Sequence, residues 1–307
     1  MLASEKGDLP PELWLRAADE LKSCSPADQP EIMLWGGEPL LYPQFDELAE
    51  QLFRRGFKLS IVTNGTLLHE HLETAAKYIS TVNISLDGGE TLHDAVRGNG
   101  VFRRVADNLE KFNAVRQGRL VFLTTLSDVN IDRGCELPFE LAKLGCDQIV
   151  LQGLMYLSPR EIDAFRAYCQ THFSGDYPEL IAWCRKDDSD YLRRIDAFRK
   201  NFENTRFPVE TVFTPHVYPG NNAGVPPCEA PWKRVHIRHD GEVGFCTDYF
   251  AFSAGNITRN SLNEIFAGPR AALFRQAVMD NALAICNHCP WHLQQLPGGQ
   301  TPHMERN

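Results

Sequence analysis

Five short apolar runs, each followed by apolar residues at helical spacing, limit this chain to an α/β fold. The runs occupy residues 32–35, 57–63, 79–86, 120–126 and 148–154. The first is nearly all apolar, the pattern of a strand buried on both faces. Alternation of strand and helix implies a parallel sheet with right-handed crossovers. A helix opens the array instead of a strand: Pro10 and Pro11 precede Leu13, Leu15, Ala17, Ala18 and Leu21. A parallel array of this kind is expected to have a further strand ahead of that helix.

Parallel α/β folds place their ligands at the carboxyl ends of the strands. The first run ends in Gly36-Gly37-Glu38-Pro39, the second in Thr63-Asn64-Gly65-Thr66 and the third in Ser85-Leu86-Asp87-Gly88-Gly89. Glycines let backbone come close to a ligand because no Cβ intervenes, and Glu38 stands where it would meet one. An ordinary βα turn with Glu38 in water accounts for the first stretch equally well. Asn64-Gly65 is a hairpin signal, but Leu67, Leu68, Leu72, Ala75 and Ala76 follow at helical spacing. Beyond residue 89, a polar loop through His93, Arg97 and Gly98 leads to a helix from 101 to about 116. Further helices are expected at 134–144 and 158–172.

From 174 to 227 the pattern loosens into a charged helical stretch at 177–202, a strand within 207–218 and a linker rich in Pro, Gly and Asn at 219–227. A hairpin at 235–237 and 243–245 about Asp240-Gly241 follows, then helices at 261–266 and 270–279. The tail after 292 is expected to be disordered. Nine cysteines in 307 residues point to metal or redox chemistry before disulfides. Four gather late in the chain: Cys228, Cys246, Cys286 and Cys289, the last two as Cys-x-x-Cys. Such a set holds zinc or a [4Fe–4S] cluster, and either would staple a segment too small for a large core. Cys24, Cys135, Cys146, Cys169 and Cys184 are scattered and read as packing residues. A formal charge of -9 with no sustained basic run argues against a nucleic-acid partner. With no apolar run of membrane-spanning length and no signal-peptide pattern at Met1, a soluble cytoplasmic protein with no membrane partner is expected.

Together, Gly36-Gly37-Glu38-Pro39, Thr63-Asn64-Gly65, Ile84-Ser85-Leu86-Asp87-Gly88 and His93-Asp94-x-x-Arg97-Gly98 resemble the radical S-adenosylmethionine (radical SAM) superfamily. Cys228-Glu-Ala-Pro-Trp232, Asp240-Gly241-x-Val243-x-x-Cys246, Gly255-Asn256-Ile257, Ser261-Leu262-x-Glu264-Ile265 and Cys286-x-x-Cys289 resemble its SPASM domain in single-cluster form. The resemblance implies a partial (β/α)6 TIM-like barrel over 1–173, missing its first strand. An irregular connection over 174–227 and a small cysteine-rich SPASM-type domain over 228–292 would follow. It implies that Gly36, Gly37 and Glu38 receive the methionyl amino group of S-adenosylmethionine. Asn64, Ser85 and Asp87 would lie near its ribose and carboxylate, and Arg97 would pair with the carboxylate. Cys228, Cys246, Cys286 and Cys289 would hold one auxiliary [4Fe–4S] cluster. The implied reaction is one-electron cleavage of the cofactor, fed by an external electron donor, to a 5′-deoxyadenosyl radical. That radical abstracts hydrogen from a substrate, often a peptide or protein in relatives.

The family's reactive cluster sits on a Cys-x-x-x-Cys-x-x-Cys loop after the first strand, and no such spacing occurs in these 307 residues. The chain as given is therefore expected to be inactive in cofactor cleavage, the catalytic [4Fe–4S] cluster belonging to a full-length form. The alternative is a non-catalytic iron–sulfur protein on the same fold that binds a peptide. The codons upstream of Met1, in the same frame, should encode a short apolar strand and then the three-cysteine loop. Genomic sequence checks this, and an in-frame stop just upstream would favour the alternative.

Overall fold

The computed structural model describes residues 7–24, 30–173, 178–214, 227–249 and 252–289. The expected tail after 292 and nearly all of the linker at 219–227 lie outside them. Helix α1 (Pro11–Cys24) leads to β1 (Glu31–Leu34), α2 (Phe45–Arg54), β2 (Lys58–Thr63), α3 (Leu72–Tyr78) and β3 (Thr81–Ser85). Then come α4 (Glu90–Arg97), α5 (Val101–Asn113), β4 (Arg119–Leu126), α6 (Leu137–Leu141), β5 (Gln148–Gly153), α7 (Pro159–His172), α8 (Ser189–Glu203) and β6 (Glu210–Thr214). The six strands form one sheet in chain order, with β1, β2, β3 and β4 parallel neighbours. This is the α/β architecture that the alternation implies, and β6 is the strand expected within 207–218. Leu59, Ile61, Val82, Ile84, Leu120, Phe122, Ile149 and Leu151 are fully buried, which is why these strands read as apolar runs. At the edge of the sheet, β1 alternates exposed and half-buried residues.

Three local expectations change. The loop through His93 and Arg97 is helix α4, whose buried face is His93 rather than an aliphatic residue, so apolar spacing does not reveal it. The helix expected at 134–144 is reduced to the five-residue α6 and a 3₁₀ turn. The charged helix expected from 177 begins only at Ser189.

The chain divides into two compact units, 1–152 with 193–213 and 153–192 with 214–307. The second unit adds α9 (Ala230–Lys233), β7 (His236–Ile237), β8 (Glu242–Gly244), β9 (Gly255–Asn256), α10 (Leu262–Ala267) and α11 (Pro269–Met279). Its three strands are antiparallel in the order β7-β8-β9, and Gly241 turns the first hairpin at φ 84°. Helix α7 shares a core with the C-terminal residues: Ile162, Phe165, Cys169 and Phe173 pack with Phe245, Tyr249, Phe252 and Phe274. Phe274 lies 4.7 Å from Phe252, 5.8 Å from Phe245 and 6.2 Å from Phe173, measured between ring centroids. Among the described residues no helix is long and apolar enough to cross a membrane. Truncating Phe274 to Ala should cost this unit about 3–5 kcal/mol, read by chemical denaturation followed through aromatic fluorescence or circular dichroism.

Candidate functional site

Because β1, β2 and β3 are parallel neighbours, the loops that follow them leave the sheet at one edge. Glu38 joins the first two loops. Its Oε1 accepts the Thr63 hydroxyl at 2.6 Å and the Leu40 N–H at 3.2 Å, and its Oε2 accepts the Asn64 N–H at 2.8 Å. The carboxylate therefore braces backbone, whereas the sequence reading had it either facing water or meeting an ammonium directly. Asn64 is also engaged: its Oδ1 accepts the N–H and the hydroxyl of Thr66 at 2.8 and 2.6 Å. Buried Asn108, unmarked by any motif, donates to the carbonyls of Gly65 and Thr66 at 2.9 and 3.0 Å. Gly36 and Gly37 differ from these neighbours. Neither has a positive φ, and a Cβ on either would meet nothing within 4 Å. Neither turn geometry nor packing within the chain requires glycine there, and the open space suits a ligand that approaches backbone.

Past the end of β3, Asp87 is only 2% exposed. Its Oδ2 accepts Arg97 Nε at 2.7 Å and its Oδ1 accepts the Thr125 N–H at 3.3 Å. Its backbone N–H donates to His93 Nδ1 at 3.2 Å, and its carbonyl accepts Asn130 Nδ2 at 2.8 Å. Arg97 is thus paired with Asp87, where the resemblance implied a cofactor carboxylate, while a third of its side chain remains exposed. Ser85, half-buried, lies opposite Leu123 in the β3–β4 register. The polar residues His93, Asn108, Thr124 and Asn130 are all buried near these strand ends. His93 belongs to a motif visible in the sequence, whereas Asn108, Thr124 and Asn130 are marked only by polarity amid apolar surroundings, which is not visible before folding.

The second unit holds the four late cysteines. Cys228 directly precedes Glu229 and α9, Cys246 follows β8, Cys286 lies in a 3₁₀ turn and Cys289 follows that turn. Cys228, Cys246 and Cys286 pack against the aromatic core. Burial pushes the Cys246 and Cys286 thiols well above the usual range. Asp248 and Cys286 add to this at Cys246, and Cys289, Cys228 and Asp248 add to it at Cys286. Cys228, Cys246 and Cys289 are thus each within electrostatic reach of Cys286. Burial also raises the Asp248 carboxyl to about 6, and Cys289 Sγ donates to its Oδ2 at 3.9 Å. Among the described residues no three His, Cys, Asp or Glu groups form a single-ion site. Four thiolates crowded here would repel one another and Asp248 unless a cationic centre lay among them. The donor set fits a cluster in which each iron takes one thiolate.

Comparison with known proteins bears on the family and the fold. The Radical SAM superfamily profile matches residues 4–134, and that of the SPASM iron–sulfur cluster-binding domain matches 228–290. Residues 4–134 are thus similar to radical SAM proteins, and residues 228–290 to SPASM domains. The two profiles imply S-adenosylmethionine and iron–sulfur clusters as cofactors. A relative from Pyrococcus furiosus, the tungsten-containing aldehyde ferredoxin oxidoreductase cofactor-modifying protein, is 23% identical over 93% of this chain and 80% of its own. Streptococcus suis SuiB bound to S-adenosylmethionine superposes with a TM-score of 0.63 at 17% identity, covering 94% of this chain and 67% of SuiB. SuiB is also solved with its precursor peptide SuiA; that match covers 66% of the SuiB chain. The protein anSMEcpe with bound AdoMet and Kp18Cys peptide gives a TM-score of 0.56 at 16% identity, over 86% of this chain and 74% of its own. At these identities, both solved structures speak for the fold.

His93 makes this edge of the radical SAM fold sensitive to pH. Burial holds its pKa below the ordinary 6.5, and the bond from Asp87 N–H needs an unprotonated Nδ1. As pH falls below about 6.5, the unfolded chain takes up a proton that the folded ring resists, so stability present at neutral pH is lost. His93→Gln keeps an acceptor for Asp87 and cannot ionise. Urea unfolding between pH 7.5 and 5 should show the parent losing more stability than this variant, and equal losses would contradict the assignment.

Proposed function

We propose that this chain carries the cofactor-binding and auxiliary-cluster parts of a radical SAM enzyme that modifies a peptide or protein by hydrogen abstraction. The observation that carries the reading is the open space over Gly36 and Gly37, flanked by loops that Glu38 and Asp87 brace. Bound there, S-adenosylmethionine supplies on one-electron reduction the 5′-deoxyadenosyl radical chemistry of its superfamily. The backbone of Gly36, Gly37 and Glu38 would take the methionyl ammonium, with the Glu38 carboxylate holding that backbone against Thr63 and Asn64. Asn64 and Ser85 would serve the ribose. Asp87 would act by orienting Arg97, whose guanidinium pairs with the cofactor's carboxylate. Cys228, Cys246, Cys286 and Cys289 would hold the auxiliary [4Fe–4S] cluster, with electrons from an external donor. Peptides bound to SuiB and anSMEcpe support a peptide or protein substrate.

The second reading is a non-catalytic, peptide-binding iron–sulfur protein on the same fold. Turnover of S-adenosylmethionine by the product of the complete gene separates the two.

Two measurements test the sites. Anaerobically reconstituted protein should bind about four irons per chain, and replacing Cys286 and Cys289 together by Ala should abolish this. Stoichiometric zinc without iron would refute the cluster. Calorimetry should detect S-adenosylmethionine binding that Gly37→Ala weakens while circular dichroism stays unchanged, since the added Cβ meets nothing within 4 Å. Equal binding by parent and variant would show that the cofactor site lies elsewhere.

A further inference from the structure

In the second unit, the carboxylate of Glu161 serves two segments at once. Its Oε2 accepts the Ser158 N–H at 2.9 Å and the Ser158 hydroxyl at 2.6 Å, closing a capping box at the start of α7. Its Oε1 accepts Nε2 of His288 at 2.7 Å, across 127 positions of sequence. His288 is fully buried and lies between Cys286 and Cys289. Its ring packs 5.7 Å from that of Tyr156, whose hydroxyl donates to Asp188 at 2.8 Å. A cap alone does not call for this arrangement. The capping box at α10, Ser261 with Glu264, is built in the same way on an exposed glutamate that no histidine joins.

We infer that Glu161 is a positioning residue for the auxiliary cluster, setting the Cys286-x-x-Cys289 segment through His288. Local backbone bonds from Cys286 N–H to Leu283 and from His288 N–H to Ile285 shape the turn, but they do not tie it to the rest of the unit. The part-buried hydrogen bond to α7 does. It thereby sets where two of the four thiolates stand, and such outer contacts govern affinity and potential at metal centres. The inference rests on the reading that these cysteines hold an iron–sulfur cluster.

The test compares the anaerobically reconstituted parent with Glu161→Ala, His288→Phe, the double variant, Ser158→Ala and His288→Gln. Iron loss to a chelator, the electron paramagnetic resonance signature of the reduced cluster and its midpoint potential are recorded for each. Glu161→Ala and His288→Phe should each speed iron loss about tenfold and alter signature and potential alike, with no further change in the double variant. Ser158→Ala disrupts the same cap and should match the parent, while His288→Gln, which can restore the bond, should return toward it. A parental signature in Glu161→Ala, or the same change in Ser158→Ala, would overturn the inference and leave the cluster reading intact. A parent that takes up no iron would overturn both.

Discussion

A carboxylate taken almost wholly out of water has to be surrounded by donors, and Asp87 shows what that demand organises. Arg97 answers one oxygen, the Thr125 backbone the other, while His93 and Asn130 bind its own N–H and carbonyl. These partners come from α4, β4 and the loop after β4. One buried anion thus holds the end of β3 to its neighbours and turns Arg97 toward a particular place. Removing Arg97 would strand the charge, which is far costlier than losing an exposed pair. Glu38 plays a lighter version of the same part between the ends of β1 and β2. Acids at this edge act mainly by holding backbone still, and the room for a ligand lies where no side chain stands, over Gly36 and Gly37.

In the second unit the constraint is size. A segment with three strands of two or three residues and short helices cannot bury much surface by itself. Helix α7 supplies Ile162, Phe165, Cys169 and Phe173, and the aromatic rings of the C-terminal residues close around them. The cysteines border this core, so its packing and the placement of the thiols are one problem. The tether from Glu161 to His288 belongs to the same design, since the helix that provides the core also fixes the Cys-x-x-Cys turn.

Much of this was legible in the residues. The strands carry apolar residues at most of the positions they bury, so β2, β3, β4 and β5 stood out in the sequence, and the Cys-x-x-Cys spacing is local. Helix α4 was not legible because its buried face carries His93, and α6 falls short of the apolar spacing that suggested a longer helix.

What the sequence by itself determined, then, is the kind and order of the elements, the strand ends that bear Gly36, Gly37, Glu38, Asn64, Ser85 and Asp87, and the late gathering of four cysteines. What only the tertiary structure decided is who meets whom. Glu38 finds Thr63 across 25 positions, Asp87 finds the Thr125 backbone across 38, and Glu161 finds His288 across 127. Local patterns arise from the period of one helix or strand, and that period is written in consecutive residues. A hydrogen bond between distant side chains depends instead on which elements pack side by side. That choice is made by the burial of many apolar groups together, and no short stretch records it.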